Sequence, residues 1–90
     1  GKCIKNAFYN IYIMKNKLHQ ARFGIAVGKK LGNAVFRNKM KRRIRMILTN
    51  QKKEFANGYD YIIIMKEKTK LLKYEELNEK LNDLLKKENI

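Results

Sequence analysis

The 90-residue sequence contains no proline and no tryptophan, one histidine and one cysteine. A lone cysteine, Cys3, closes no internal disulfide, and without a Cys/His cluster no zinc site is expected. Both features fit a reducing cytoplasm. Apolar runs are short. The longest, Tyr61-Ile62-Ile63-Ile64-Met65, falls far below the roughly 18 residues of a membrane-spanning helix, so no membrane partner is expected. No secretory signal pattern opens the chain, and a start at Gly1 rather than Met leads one to expect that a preceding segment has been removed.

Acid is missing from more than half of the chain. Residues 1–53 carry 15 Lys and Arg and no Asp or Glu, whereas residues 54–90 carry 7 Lys and 8 acids, so the net +14 resides wholly in the first part. Self-repulsion on that scale opposes a compact state, and a domain that keeps it is expected to have a polyanionic partner. A lysine-rich surface that serves only solubility would draw acids along with lysines.

No repeat or low-complexity linker divides the sequence, so residues 1–90 are expected to form one domain. Residues 7–14 alternate with a period of two, placing Tyr9, Ile11 and Ile13 on one face and Phe8, Asn10, Tyr12 and Met14 on the other. A polar turn over 15–20 leads to a second strand over 22–28. Its apolar face is Phe23, Ile25 and Val27, and its other face, Gly24, Ala26 and Gly28, is almost bare. Two strands and a short polar loop predict an antiparallel hairpin.

After Gly32, Asn33 is a candidate N-cap for a helix over 34–55. At 100° per residue Phe36, Met40, Ile44, Ile47 and Leu48 gather on one side, and Asn38, Lys41, Arg42, Arg45 and Thr49 on the other. Asn57-Gly58 marks a turn. The strand that follows, over 59–66, is apolar on both faces and predicts a central strand covered on both sides. A last amphipathic helix turns Tyr74, Leu77, Leu81, Leu84 and Leu85 inward, with Glu75 and Glu76 at its positive end and Lys86 and Lys87 at its negative end. The order is β-β-α-β-α, an α/β (α+β sandwich) class with a small mixed sheet.

The groups needed for independent catalysis are scarce. His19 reads as a solvated turn residue, Cys3 as an incidental thiol, and no pair of carboxylates is placed to hold a metal or share acid–base work. No catalytic residue and no side-chain-bound cofactor are expected. Phosphate-binding groups are abundant instead. Residues 29–45 hold eight Lys and Arg, among them four of the five arginines, whose planar fork matches two phosphate oxygens. Lys29, Lys30, Gly32 and Asn33 precede the helix, where backbone N–H groups also favour phosphate.

The run Gly24-Ile25-Ala26-Val27-Gly28-Lys29-Lys30-Leu31-Gly32-Asn33-Ala34-Val35-Phe36-Arg37-Asn38-Lys39-Met40-Lys41-Arg42 resembles the signature of the bacterial ribonuclease P protein family. That signature is a strand, then Lys-Lys-x-Gly-Asn-Ala-Val, then an Arg-Asn-Arg-x-Lys-Arg helix. Asp60-Tyr61-Ile62-Ile63-Ile64 and Tyr74-Glu75-Glu76-Leu77 resemble the family's third strand and last helix, so the likeness spans nearly the whole chain. Two features depart from it. Lys39 stands where the family has a second arginine, and nothing corresponds to the family's short N-terminal helix.

The resemblance implies a left-handed β-α-β crossover, against the general right-handed rule. It further implies a cytoplasmic monomer in a 1:1 ribonucleoprotein with ribonuclease P RNA, whose bound magnesium cleaves the 5′ leader from precursor tRNA. Carried over by position, the residues that meet the catalytic RNA are Lys29, Lys30, Asn33, Arg37, Asn38, Lys39, Lys41, Arg42 and Arg45. Those that meet the 5′ leader are Asn10, Tyr12, Ala26, Gly28 and Ile64. From the residues themselves, Tyr12 beside a bare strand face suits a single strand, since a ring there can stack on a base. Packing of Tyr12 against an N-terminal segment is the other reading. Two further classes stand beside this one: a ribosomal or chaperone-like RNA-binding module, and a basic amphipathic protein of membrane surfaces, which would call for a wider apolar stripe.

Overall fold

The computed structural model describes residues 1–51 and 55–90. Four strands, β1 (Lys2–Lys5), β2 (Tyr9–Lys15), β3 (Arg22–Val27) and β4 (Tyr59–Met65), form one sheet in the order β1-β2-β4-β3. Two helices, α1 (Ala34–Asn50) and α2 (Tyr74–Lys87), are each preceded by a short 3₁₀ turn, at Lys29–Leu31 and Glu67–Leu71. The mixed α+β class expected from the sequence is the one observed.

The predicted hairpin does not form. β2 and β3 follow one another in the chain, yet β4 lies between them, antiparallel to β2 and parallel to β3. β4 is the most apolar strand, and the central place gives it two partners. β3 and β4, joined through α1, pair in parallel and so form a β-α-β crossover. The hairpin that does form is β1–β2, turned at Asn6, whose Oδ1 accepts from the backbone N–H of Phe8 and of Tyr9 at 2.9 and 2.8 Å. β1 escaped the sequence reading because it buries only Ile4. β2 accordingly starts at Tyr9, later than expected, and Phe8 packs half-buried against the core instead of joining the face of Tyr12.

One face of the sheet carries the core. Tyr9, Ile11, Ile13, Tyr61, Ile63, Met65 and Val27 pack with Met40, Ile44 and Ile47 of α1 and Leu77, Leu81, Leu84 and Leu85 of α2. The buried Tyr9 hydroxyl donates to the Leu77 carbonyl at 2.9 Å and pins α2 to β2. Burial pushes the Tyr9 phenol well above its ordinary pKa, so it remains a donor. The expectation that β4 is covered on both faces is corrected here: Ile62 and Ile64 point to the side away from the core and remain half-buried.

α1 starts as predicted. Asn33 is extended (φ −76°, ψ 176°), and its side chain accepts from the Phe36 N–H at 2.9 Å. The helix stops at Asn50 with an extended Gln51, short of the predicted end. Residues 52–54 of that prediction lie outside the described residues, and Phe55 is not helical. Its ring meets Phe23 edge-on, centroids 5.0 Å apart.

Gly32 shapes the entry to α1. At φ +155° a Cβ would come within 2.8 Å of the Phe36 ring, so only glycine lets the 3₁₀ turn pack on the first helical turn. Gly32→Ala is expected to cost about 1–3 kcal/mol through this overlap, read as a lower urea midpoint at unchanged slope. An unchanged midpoint would show that the Phe36 ring moves aside freely.

Candidate nucleic-acid interface

Two surfaces gather the residues singled out in the sequence. The first is the outer side of α1 with the turn before it. Lys29, Lys30, Asn38, Lys39, Arg42 and Arg45 are exposed, and Arg37, Lys41 and Arg43 are half-buried. Burial of Met40, Ile44 and Ile47 on the opposite side fixes the rotation of the helix, so hydrophobic spacing alone directs the cations outward. Among the described residues none of these cations is in an ion pair. The Asn33 side-chain oxygen is engaged in capping α1, as expected, and its amide N–H₂ donates no hydrogen bond among the described residues. Arg37 Nε is buried without a hydrogen-bond partner among the described residues.

The second surface is the sheet face opposite the core, which no described element covers. Strand register lays it out in rows. Cys3, Tyr12, Ile62 and Gly24 form one row, Lys5, Asn10, Ile64 and Ala26 the next, and Met14, Asp60 and Arg22 a third. Of the predicted leader residues, Asn10, Tyr12, Ala26 and Ile64 share this face, and Gly28 follows the end of β3. Tyr12, 42% exposed, borders Ile62 and not the bare strand directly, because β4 intervenes. Ile62 and Ile64 thus form the floor of the groove, with Tyr12 on one side and the Gly24/Ala26 strip on the other. Asn10 Oδ1 is buried and has no donor among the described residues.

Sequence reasoning places Gly24 on this face but misses Ile62, Arg22 and Asp60 as members of it. The signal was present in the alternation of β4, but its use required knowing that β4 sits next to β2. Asp60, the one acid on the face among the described residues, is held by two hydrogen bonds from Arg22, at 2.9 Å from Nε and 2.8 Å from Nη2, and a third from Asn16 Nδ2 at 2.8 Å. The Arg22 bonds first, and the Asn16 bond next, depress its pKa from the usual 3.8 to about 2. A depressed folded-state pKa stabilises the fold fully above the unfolded value, and that contribution is lost as pH falls from about 4 to about 2. Asp60→Asn should therefore flatten the fall of melting temperature across this acid window. Parallel curves for the two proteins would show that the pair adds nothing to stability.

The family described as Ribonuclease P matches residues 1–89. The chain belongs to the ribonuclease P protein family. Similar proteins include the ribonuclease P protein component of Mycoplasma mycoides, 44% identical over 86 residues, covering 94% of this chain and 79% of that protein. The component from Streptococcus pneumoniae is 37% identical and covers 96% and 70%. Among solved structures, the RNase P protein from Thermotoga maritima superposes with a TM-score of 0.84 at 33% identity, over 97% of this chain and 83% of that one. The RNase P protein of Staphylococcus aureus gives 0.86 at 36% identity, over 96% and 79%. The ribonuclease P protein fold is therefore that of this chain, mixed sheet and both helices included. No helix among the described residues is long and apolar enough to cross a membrane.

Proposed function

We propose that this chain is the protein subunit of bacterial ribonuclease P, assisting the endonucleolytic removal of the 5′ leader from precursor tRNA. In this reading α1 and the Lys29–Leu31 turn bind the catalytic RNA, and the open sheet face binds the leader as a single strand. The observation that carries it is the division of the molecule into two surfaces of different chemistry. α1 offers point charges and guanidinium forks for a folded RNA backbone. The sheet face offers an aromatic ring, an apolar floor and the unpaired Asn10 oxygen, which suit a stacked, splayed base.

The RNA carries the chemistry in this reading. Among the described residues no three His, Cys, Asp or Glu groups converge on a metal position, and Asp60 is already occupied by Arg22 and Asn16. In this reading magnesium is held by the RNA. The protein contributes affinity for substrate as one copy per RNA in the cytoplasm.

Reconstitution with a bacterial ribonuclease P RNA and a precursor tRNA at low magnesium tests the proposal. The protein alone should release no leader, and its addition should stimulate cleavage by the RNA. Robust cleavage without RNA, surviving loss of the α1 arginines, would overturn it.

A further inference from the structure

Gly24 and Gly32 stand in contrast. Gly32 is required by its own fold, as shown above. Gly24 is not: it lies within β3, and a Cβ there would meet nothing nearer than Ile62 Cγ1 at 3.8 Å, an ordinary contact. Glycine weakens a strand interior, so a glycine that sterics do not demand is a cost without a return inside the protein. What its bareness leaves is a hollow on the open face, lined by Arg22, Phe23, Gly24, Asp60 and Ile62. Arg22 borders this hollow with its side chain 53% exposed. Two of its guanidinium N–H groups are held by Asp60, which fixes the plane of the fork, and its remaining N–H groups are left for another partner. A locked guanidinium loses little freedom on binding, and a phosphate beside it meets donors already in place.

We propose that this hollow is a nucleotide subsite for single-stranded RNA, with the base resting on Gly24 and Ile62 and the adjoining phosphate on Arg22. The proposal rests on the leader-binding reading and extends it along the sheet, one row beyond the Asn10/Ala26/Ile64 positions and toward the β2–β3 loop. Asp60 is a positioning residue here: it orients Arg22 and touches no RNA. A polyanion is the occupant that the charge of the chain favours, and a missing Cβ admits a flat base where an ordinary side chain would exclude it.

The test uses the reconstituted ribonucleoprotein, with precursor tRNAs whose leaders are shortened one nucleotide at a time, and mature tRNA. Gly24→Val is expected to fold with an unchanged or raised melting temperature and to bind the long-leader precursor about tenfold more weakly. Mature tRNA and leaders too short to reach the hollow should bind as to the unaltered protein. Gly24→Ala should show a smaller loss in the same pattern, and covers the case in which valine disturbs the strand. Arg22→Lys, which keeps the charge but loses the fork, should weaken only the long-leader precursor. Equal losses for short and long leaders, or none with either Gly24 variant, would overturn the subsite. Tyr12→Ala, measured alongside, separates the two levels. If it discriminates precursor from mature tRNA while Gly24→Val does not, the subsite alone fails; if it does not discriminate, leader binding on this face fails with it.

Discussion

Raising monovalent salt from about 50 to about 200 mM is expected to weaken binding to ribonuclease P RNA by on the order of a thousandfold, if about six phosphates are neutralised. The number of contacts follows from the surface and not from the net charge. Lys29, Lys30, Lys39, Arg42 and Arg45 are exposed on one side of the molecule, with Arg37, Lys41 and Arg43 half-buried beside them. Each cation that meets a phosphate releases a counterion, so the slope of log affinity against log salt counts the contacts made. The cations of α2 should contribute little, because Lys80, Lys86 and Lys87 are interspersed with Glu75, Glu76, Glu79 and Asp83. Titration of labelled RNA at four or five salt concentrations measures the slope. A nearly flat line would show that the acid-free half of the chain serves solubility alone.

The second large effect is a separation of the two surfaces. Arg42→Ala or Arg45→Ala should weaken assembly with the catalytic RNA whether or not the substrate carries a leader, since both residues are exposed on α1, away from the core. Tyr12→Ala should leave assembly intact and weaken precursor tRNA binding by about 1–3 kcal/mol, the usual worth of one base stacked on a ring. Mature tRNA, which has no leader, should bind equally well to both proteins. Stability should hardly change, because the Tyr12 ring is far from buried and makes no hydrogen bond among those described. Paired affinities for precursor and mature tRNA decide the matter for each variant. An equal loss for both substrates with Tyr12→Ala, or a precursor-only loss with Arg42→Ala, would reverse the assignment of the faces.

Much of this was legible from the residues because it is local. The N-cap at Asn33, the inward stripe of Met40, Ile44 and Ile47, and the cationic opposite side follow from helix geometry, which repeats every 3.6 residues whatever lies nearby. The burial of Leu77, Leu81, Leu84 and Leu85 follows likewise. Sequence and structure part where the local signal is weak. No Gly or Pro marks the end of α1 at Asn50, so the periodic pattern predicts a longer helix, and β1 holds too little apolar surface to stand out.

Strand neighbours are a different matter. Backbone ladder bonds are alike for every residue type, and the partner of a strand can lie anywhere along the chain. Adjacency in sequence favoured pairing β2 with β3, but β4, returned by α1, took the place between them. That insertion decides which side chains share the open face, and so puts Ile62 beside Tyr12 and joins Arg22 to Asp60. Alone, the sequence determined the charge, the helices and their faces, and the family signature, because each is written in neighbouring residues. Only the tertiary structure decided the order of the strands, the single-sided cover of β4 and the hollow over Gly24, because these arise where segments far apart in the chain meet.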